Sequence, residues 1–191
     1  MKKITFLFIV IIGLFQISLF AQENPKPVKV RFLGEFGLEY GGDELIEIFF
    51  TNGEDQKMLV GQGIYLAAGA QIEFTKIQPL LIRTSVGFKY NTTAATNANI
   101  RLTRVPILLM PYYRFGDGFR VGAGITTHEL VYFRGDDFVP DIDFNSSLGS
   151  KFEFGYKAVA LSYTSVKYSA GIEELSAWSI GLNFSFALPQ N

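Results

Sequence analysis

Residues 177–188, AWSIGLNFSFAL, divide their side chains by parity. Trp178, Ile180, Leu182, Phe184, Phe186 and Leu188 are large and apolar, whereas Ala177, Ser179, Gly181, Asn183, Ser185 and Ala187 are small or polar. Successive side chains of a strand point to opposite faces, so this stretch reads as a β-strand with one greasy wall and one small, polar wall.

The same signature recurs upstream. Over about 28–40, Val28, Val30, Phe32, Phe36, Leu38 and Tyr40 alternate with a parity that holds all four charges, Lys29, Arg31, Glu35 and Glu39. Over about 59–74, Ile64, Leu66, Ile72 and Phe74 oppose Tyr65, Gln71 and Glu73. Over about 79–90, Ile82, Val86 and Phe88 oppose Arg83, Ser85 and Lys89. Residues 101–115, RLTRVPILLMPYYRF, are apolar on both parities, and Pro106 and Pro111 lack ladder donors, which predicts a bulge or weakened pairing. Three further strands are expected at about 119–127 (with Arg120), 144–154 (with Lys151 and Glu153) and 157–167, the last alternating weakly. With the terminal strand this makes eight.

The connections sort into two sets. Tight turns are expected near 75–78, 116–118 and 155–156, and longer loops at 41–58, 91–99, 128–143 and 168–176. An even number of strands, short turns at one rim and long loops at the other describe an all-β, eight-stranded antiparallel up-and-down transmembrane β-barrel.

The N-terminus fits that location. Lys2 and Lys3 precede an unbroken apolar run from Ile4 to Leu14, and Ser18-Leu-Phe-Ala21 approaches a small-residue cleavage site. Residues 1–21 therefore read as a cleaved signal peptide, 22–27 as a periplasmic lead-in, 28–188 as the barrel and 189–191 as a C-terminal tail. The chain has no cysteine, which excludes a lipid anchor on cysteine, disulfide staples and thiolate metal sites. Removing Lys2 and Lys3 from 17 basic residues leaves 15 against 18 acidic ones, about −3, with no basic face for nucleic acid.

Alternation alone does not say which face is inside, and a lipocalin-like soluble barrel shows the same pattern inverted. The polar parity decides. It consists mostly of Gly, Ala and Ser with scattered charges, too sparse for a water-facing exterior but suited to the filled interior of eight strands. Lys29, Arg31, Glu35, Glu39, Glu73, Arg83, Lys89, Arg120, Lys151 and Glu153 are accordingly expected to form an internal ion-pair network, because an unpaired buried charge costs several kcal/mol.

Two segments carry a family resemblance. SIGLNFSF resembles the insertion signal read by the outer-membrane barrel assembly machinery, with Ser179, Gly181, Phe184 and Phe186 in the matching positions; the tail Ala187–Asn191 is a departure. LTRVPILLMPYYRF is similar to a stretch of the small porin-like outer-membrane β-barrel proteins, the OmpA/OmpX-type group. The resemblance implies a cell outer-membrane location, lipid and lipopolysaccharide as surroundings and the assembly machinery as a partner. It says little of activity, since fold does not confer function.

Chemistry is sparse. His128 is the sole histidine, beside Glu129 and across loop three from Ser146 and Ser147, and Leu130 stands where a lipid A deacylase has its serine. No catalytic, cofactor or metal residues are assigned. The acidic loops (Asp43, Glu44, Glu47, Glu54 and Asp55; Asp136, Asp137, Asp141 and Asp143) match no calcium template. ELIEIFF, Thr51-Asn-Gly-Glu54 and QKMLVGQ predict a hairpin protruding above the membrane, and FVPDIDF in loop three is comparable, so 41–58 and 128–143 are the expected sites of a protein partner. The expected function is a non-enzymatic structural or interaction barrel; the alternatives are a narrow pore, which eight strands argue against, and a lipid-modifying enzyme.

Overall fold

The computed structural model describes residues 27–49, 55–93 and 99–189. The signal peptide, lead-in residues 22–26, the Asn-Gly turn at 51–54 and tail residues 190–191 lie outside them.

Thirteen strands follow one another: β1 Val28–Tyr40, β2 Glu44–Phe49, β3 Asp55–Leu59, β4 Gly63–Phe74, β5 Leu80–Thr92, β6 Arg101–Phe115, β7 Phe119–Arg134, β8 Ile142–Ser146, β9 Gly149–Tyr156, β10 Val159–Ser165, β11 Lys167–Ala170, β12 Glu173–Ser176 and β13 Ser179–Leu188. Eight of them close a barrel in the order β1-β4-β5-β6-β7-β9-β10-β13, with β13 returning antiparallel onto β1 (Phe32 opposite Leu188, Tyr40 opposite Ile180). Closure leaves no free edge, which allows a sheet to stand in lipid. Both ends of the barrel sequence, Val28 and Leu188, lie at the rim of the tight turns.

The two parities separate as the alternation requires. Side chains such as Phe32, Leu66, Phe88, Phe154 and Ile180 point outward, with Leu66 63% and Ile180 59% exposed, while Glu39, Lys89, Arg120, Lys151 and Asn183 point into the lumen. An apolar band of this extent around a whole molecule is the surface of a protein solvated by acyl chains rather than water. The barrel spans a membrane.

Three segments differ from the sequence reading, and the bulge expected near the prolines is present. The third tight turn is Lys157–Ala158 rather than 155–156, with Lys157 at a φ of 51°. The 144–154 strand is two strands: β8 lies between β7 and β11, and β9 pairs with β7 and β10. The 128–143 loop begins as strand, because β7 runs on to Arg134. The irregularity expected near the prolines lies beside Pro106, where Thr103 faces Tyr132 but Val105 faces Glu129, so Leu130 and Val131 together oppose Arg104. Leu130 takes a φ of 51° there, and the extra residue switches which parity of β7 points inward. Below the bulge Thr126 and His128 are buried; above it Val131 and Phe133 are.

That switch builds a second core. Past the membrane band, Met58, Val60, Ile100, Leu102, Val131, Phe133, Val166, Tyr168 and Ala177 pack together, with Leu45, Ile46, Ile48, Ile142, Phe144 and Leu175 against them. The 41–58 and 168–176 loops are thus largely the hairpins β2–β3 and β11–β12, folded over the barrel mouth as a cap. Gly41 and Gly42, with φ of 138° and 90°, make the reversal from β1 into β2, a backbone path that L side chains resist. Asp43 ties the cap shut: its N–H donates to Ser176 O and its carboxylate accepts from Ser176 N.

Candidate functional site

The lumen is the one place where the fold concentrates chemistry, and it is filled from end to end. At the turn end Glu73 accepts from Gln71 Nε2 (2.6 Å) and draws in Arg31 (3.5 Å) and Arg114 (3.7 Å). Next, Arg83 donates to Gln71 Oε1 (2.9 Å) and Ser185 Oγ (3.0 Å), and Arg120 donates to Glu153 (3.1 Å) and Lys157 O. The Tyr112 ring lies under both guanidiniums, 5.0 Å from Arg83. In the middle, Glu35 accepts from Ser85 Oγ (2.8 Å), while Glu39 takes Lys89 (2.5 Å), Lys151 (3.2 Å) and Ser179 Oγ (3.0 Å).

Lys29 sits at the rim, half-buried opposite Glu73 in register, and makes no ion pair among the described residues. A simple acid–base pairing does not describe the rest either. Five fully lumenal cations, Arg83, Lys89, Arg104, Arg120 and Lys151, share three carboxylates, Glu35, Glu39 and Glu153. Backbone carbonyls and ring faces supply the remaining negative potential. Lys151 stands 5.0 Å over Tyr65, and Lys89 donates to Gly61 O (2.6 Å). Arg104, which sequence reading passed over because its strand is apolar on both parities, donates to Val60 O and Gln62 O. With Asn91 Nδ2 on Leu59 O (3.4 Å), the carbonyls of 59–62 are held one after another by lumenal side chains, so the foot of the β2–β3 hairpin is clasped into the barrel mouth. Leu81, Leu108 and Met110 fill part of the interior as well, which is why β6 reads apolar on both parities. Among Glu39, Lys89, His128 and Lys151 lies a cavity of about 30 Å³, room for a water or two.

His128 faces that cavity, 5% exposed, with Nδ1 hydrogen-bonded to the Tyr168 hydroxyl. Ser146 Oγ accepts from the His128 backbone N–H (3.3 Å), not from the ring, and Ser147 Oγ accepts from Lys167 N (3.0 Å). Glu129 points to the opposite side of β7. These residues are neighbours without forming a Ser-His-acid relay. The acidic loops are likewise committed to loop structure: Asp136 accepts from Asn99 N (2.8 Å), Asp141 from Gly135 N (2.9 Å), and Asp143 pairs with Arg134 (2.6 Å). No group of three or more candidate metal ligands occurs among the described residues. In the β2–β3 hairpin, Glu44 (2.9 Å) and Glu47 (3.3 Å) hold the Lys57 ammonium above its usual range.

The four terminal-strand residues have structural partners of their own. Ser179 bonds Glu39, and Gly181 lets the Glu39 side chain pass, since a Cβ would come within 2.7 Å of it. Phe184 packs against Phe36 across the closing seam (6.2 Å between centroids). The tip of the Phe186 ring lies against Gly34, where a Cβ would stand 2.3 Å from it. The signal-like residues thus occupy the seam that joins the first strand to the last.

The two ends of the molecule differ in sign. Among the described residues, the cap carries ten acids (Asp43, Glu44, Glu47, Asp55, Asp136, Asp137, Asp141, Asp143, Glu173 and Glu174) against Lys57, Arg101, Arg134 and Lys167. The turn end carries, among the described residues, Lys29, Arg31, Lys76, Arg114 and Lys157 against Glu73 and Asp117.

No family model and no curated protein matches the chain. Among solved structures, it is similar to Ail, the attachment invasion locus protein of Yersinia pestis, at 8% identity and a TM-score of 0.42 over 85% of this chain and 100% of that one. A second Ail structure, in complex with the heparin analogue sucrose octasulfate, gives 9% and 0.39 over 82% and 97%. The outer membrane protein AlkL in lipid bilayers gives 13% and 0.39 over 90% and 97%. The closed strand order and the short-turn, long-loop asymmetry give this chain the architecture of a small eight-stranded membrane barrel.

Proposed function

We propose that this is an integral protein of the bacterial outer membrane that presents a rigid, acidic, strand-built cap to the exterior and serves as a non-enzymatic structural or interaction platform. The observation that carries this reading is the pairing of an ordered cap core with a plugged lumen: chain is spent on display while transport space is filled. The buried, Tyr168-bonded His128 supports the non-enzymatic part, because a lipid substrate at the barrel wall does not reach it. The cap hairpins within 41–58 and 128–143 are the surface we assign to a protein partner. Lipopolysaccharide phosphates would meet this acidic rim through divalent cations.

Conductance tests the reading. The purified barrel in a planar bilayer should show no unitary steps, and a variant with residues 45–58 replaced by a short turn should stay silent, since the plug lies in the barrel itself. Steps from the intact protein would make it a pore; steps from the shortened variant alone would make the cap a gate.

Ser179, Gly181, Phe184 and Phe186 are the segment we propose the assembly machinery reads. Phe184→Ala with Phe186→Ala should abolish surface levels in cells. In detergent micelles the same variant should refold with a loss of about 1.5–3 kcal/mol per ring. Equal failure in micelles would reduce these residues to seam packing, and normal surface levels would remove the signal role.

A further inference from the structure

We propose that the turn end of the barrel is a docking surface for anionic phospholipid headgroups. This inference uses the membrane barrel but not its assignment to a particular membrane. Two guanidiniums, Arg31 and Arg114, converge on the single carboxylate of Glu73, so one positive charge there is uncompensated. Lys76 and Lys157 are exposed, and with Lys29 they make no ion pair among the described residues. An eight-stranded barrel is narrow, so these charges sit within about one or two Debye lengths of each other and act as one patch.

Their height is fixed by the aromatic side chains beside them. Phe115 stacks on Phe119 (5.7 Å between centroids) and Phe119 meets Tyr156 (4.7 Å), forming a belt on the lipid face at this end. Such belts mark the level at which acyl chains give way to headgroups. The Lys157 ammonium lies over the Tyr156 ring, 5.1 Å from its centroid, which puts a cation one step beyond the belt, at the depth of lipid phosphates. The cap has the opposite sign, so an anionic lipid is drawn to one end and repelled from the other.

The chain has no cysteine, so single thiols report each end separately. The mature protein, labelled with a fluorophore at Ala158→Cys (turn end) or Leu148→Cys (the exposed junction of barrel and cap), is refolded into phosphatidylcholine vesicles. A small, fixed fraction of spin-labelled phosphatidylglycerol or spin-labelled phosphatidylcholine is then added, and heat-shifted gel mobility confirms closure of each sample. Quenching at position 158 should be about twofold stronger with the phosphatidylglycerol quencher, and at 148 equal or weaker. The preference at 158 should vanish in about 1 M NaCl and fall sharply in the Lys29→Gln, Lys76→Gln, Lys157→Gln variant, which keeps Arg31 and Arg114. Equal quenching by the two lipids at 158 in low salt overturns the proposal, as does a preference undiminished in the triple variant. Failure of every sample to shift on heating would instead overturn the membrane barrel.

Discussion

Glu39→Leu should destabilise the barrel by about 3–5 kcal/mol, more than any other lumenal substitution. Among the described residues, Glu39 is the only carboxylate that forms ion pairs with both Lys89 and Lys151, and it also accepts from Ser179. Removing it leaves two buried ammonium groups in a low-dielectric lumen with no carboxylate in direct contact, Lys89 keeping Gly61 O and Lys151 the Tyr65 ring, while Glu35 stays on the wall of the same cavity. Desolvation without a counter-charge is what makes such a change costly. The triple change Glu39→Leu, Lys89→Met, Lys151→Met removes all three charges together and should recover most of the loss. Urea titration of heat-shifted mobility in vesicles measures both. If the triple variant is as unstable as the single one, packing rather than charge pairing holds this layer.

Arginine on the lipid face should cost about 2–4 kcal/mol near the middle of the band and almost nothing beyond it. Leu66 and Val86 lie on the outward parity of β4 and β5, midway between the turns and the cap, and are 63% and 40% exposed to the acyl region. Ile172, at the tip of the β11–β12 hairpin, is fully exposed but stands in water. Leu66→Arg and Val86→Arg should therefore lower the unfolding midpoint in lipid vesicles, whereas Ile172→Arg, an equally drastic change by composition, should leave it in place. Equal effects at the three positions would mean that the exposed apolar band is not in lipid.

The faces of most barrel strands were legible from residue order alone, β6 and the upper part of β7 excepted. Period-two alternation is a property of neighbouring residues, so Ile180, Leu182 and Phe184 declare one wall and Ser179, Gly181 and Asn183 the other without any knowledge of partners. The turn at Gly116–Gly118, with φ of 53° and 117°, is equally local. From eight segments with alternating short and long connections, closure into a barrel follows, because lipid tolerates no free sheet edge. Tertiary structure alone decided the rest. Glu39 could be read as lumenal, but its choice of Lys151, 112 residues away, depends on how the strands stagger around the barrel. Arg104 and His128 look like members of an apolar strand and a loop; only the bulge at Leu130 and the return of residues 59–62 over the mouth show them as buried and bonded. The cap was the least visible element. Its core draws Met58, Ile100, Val131, Val166 and Ala177 from separate connections, each too short to bury an apolar face alone, so the burial that stabilises them exists only once the barrel has brought the connections together.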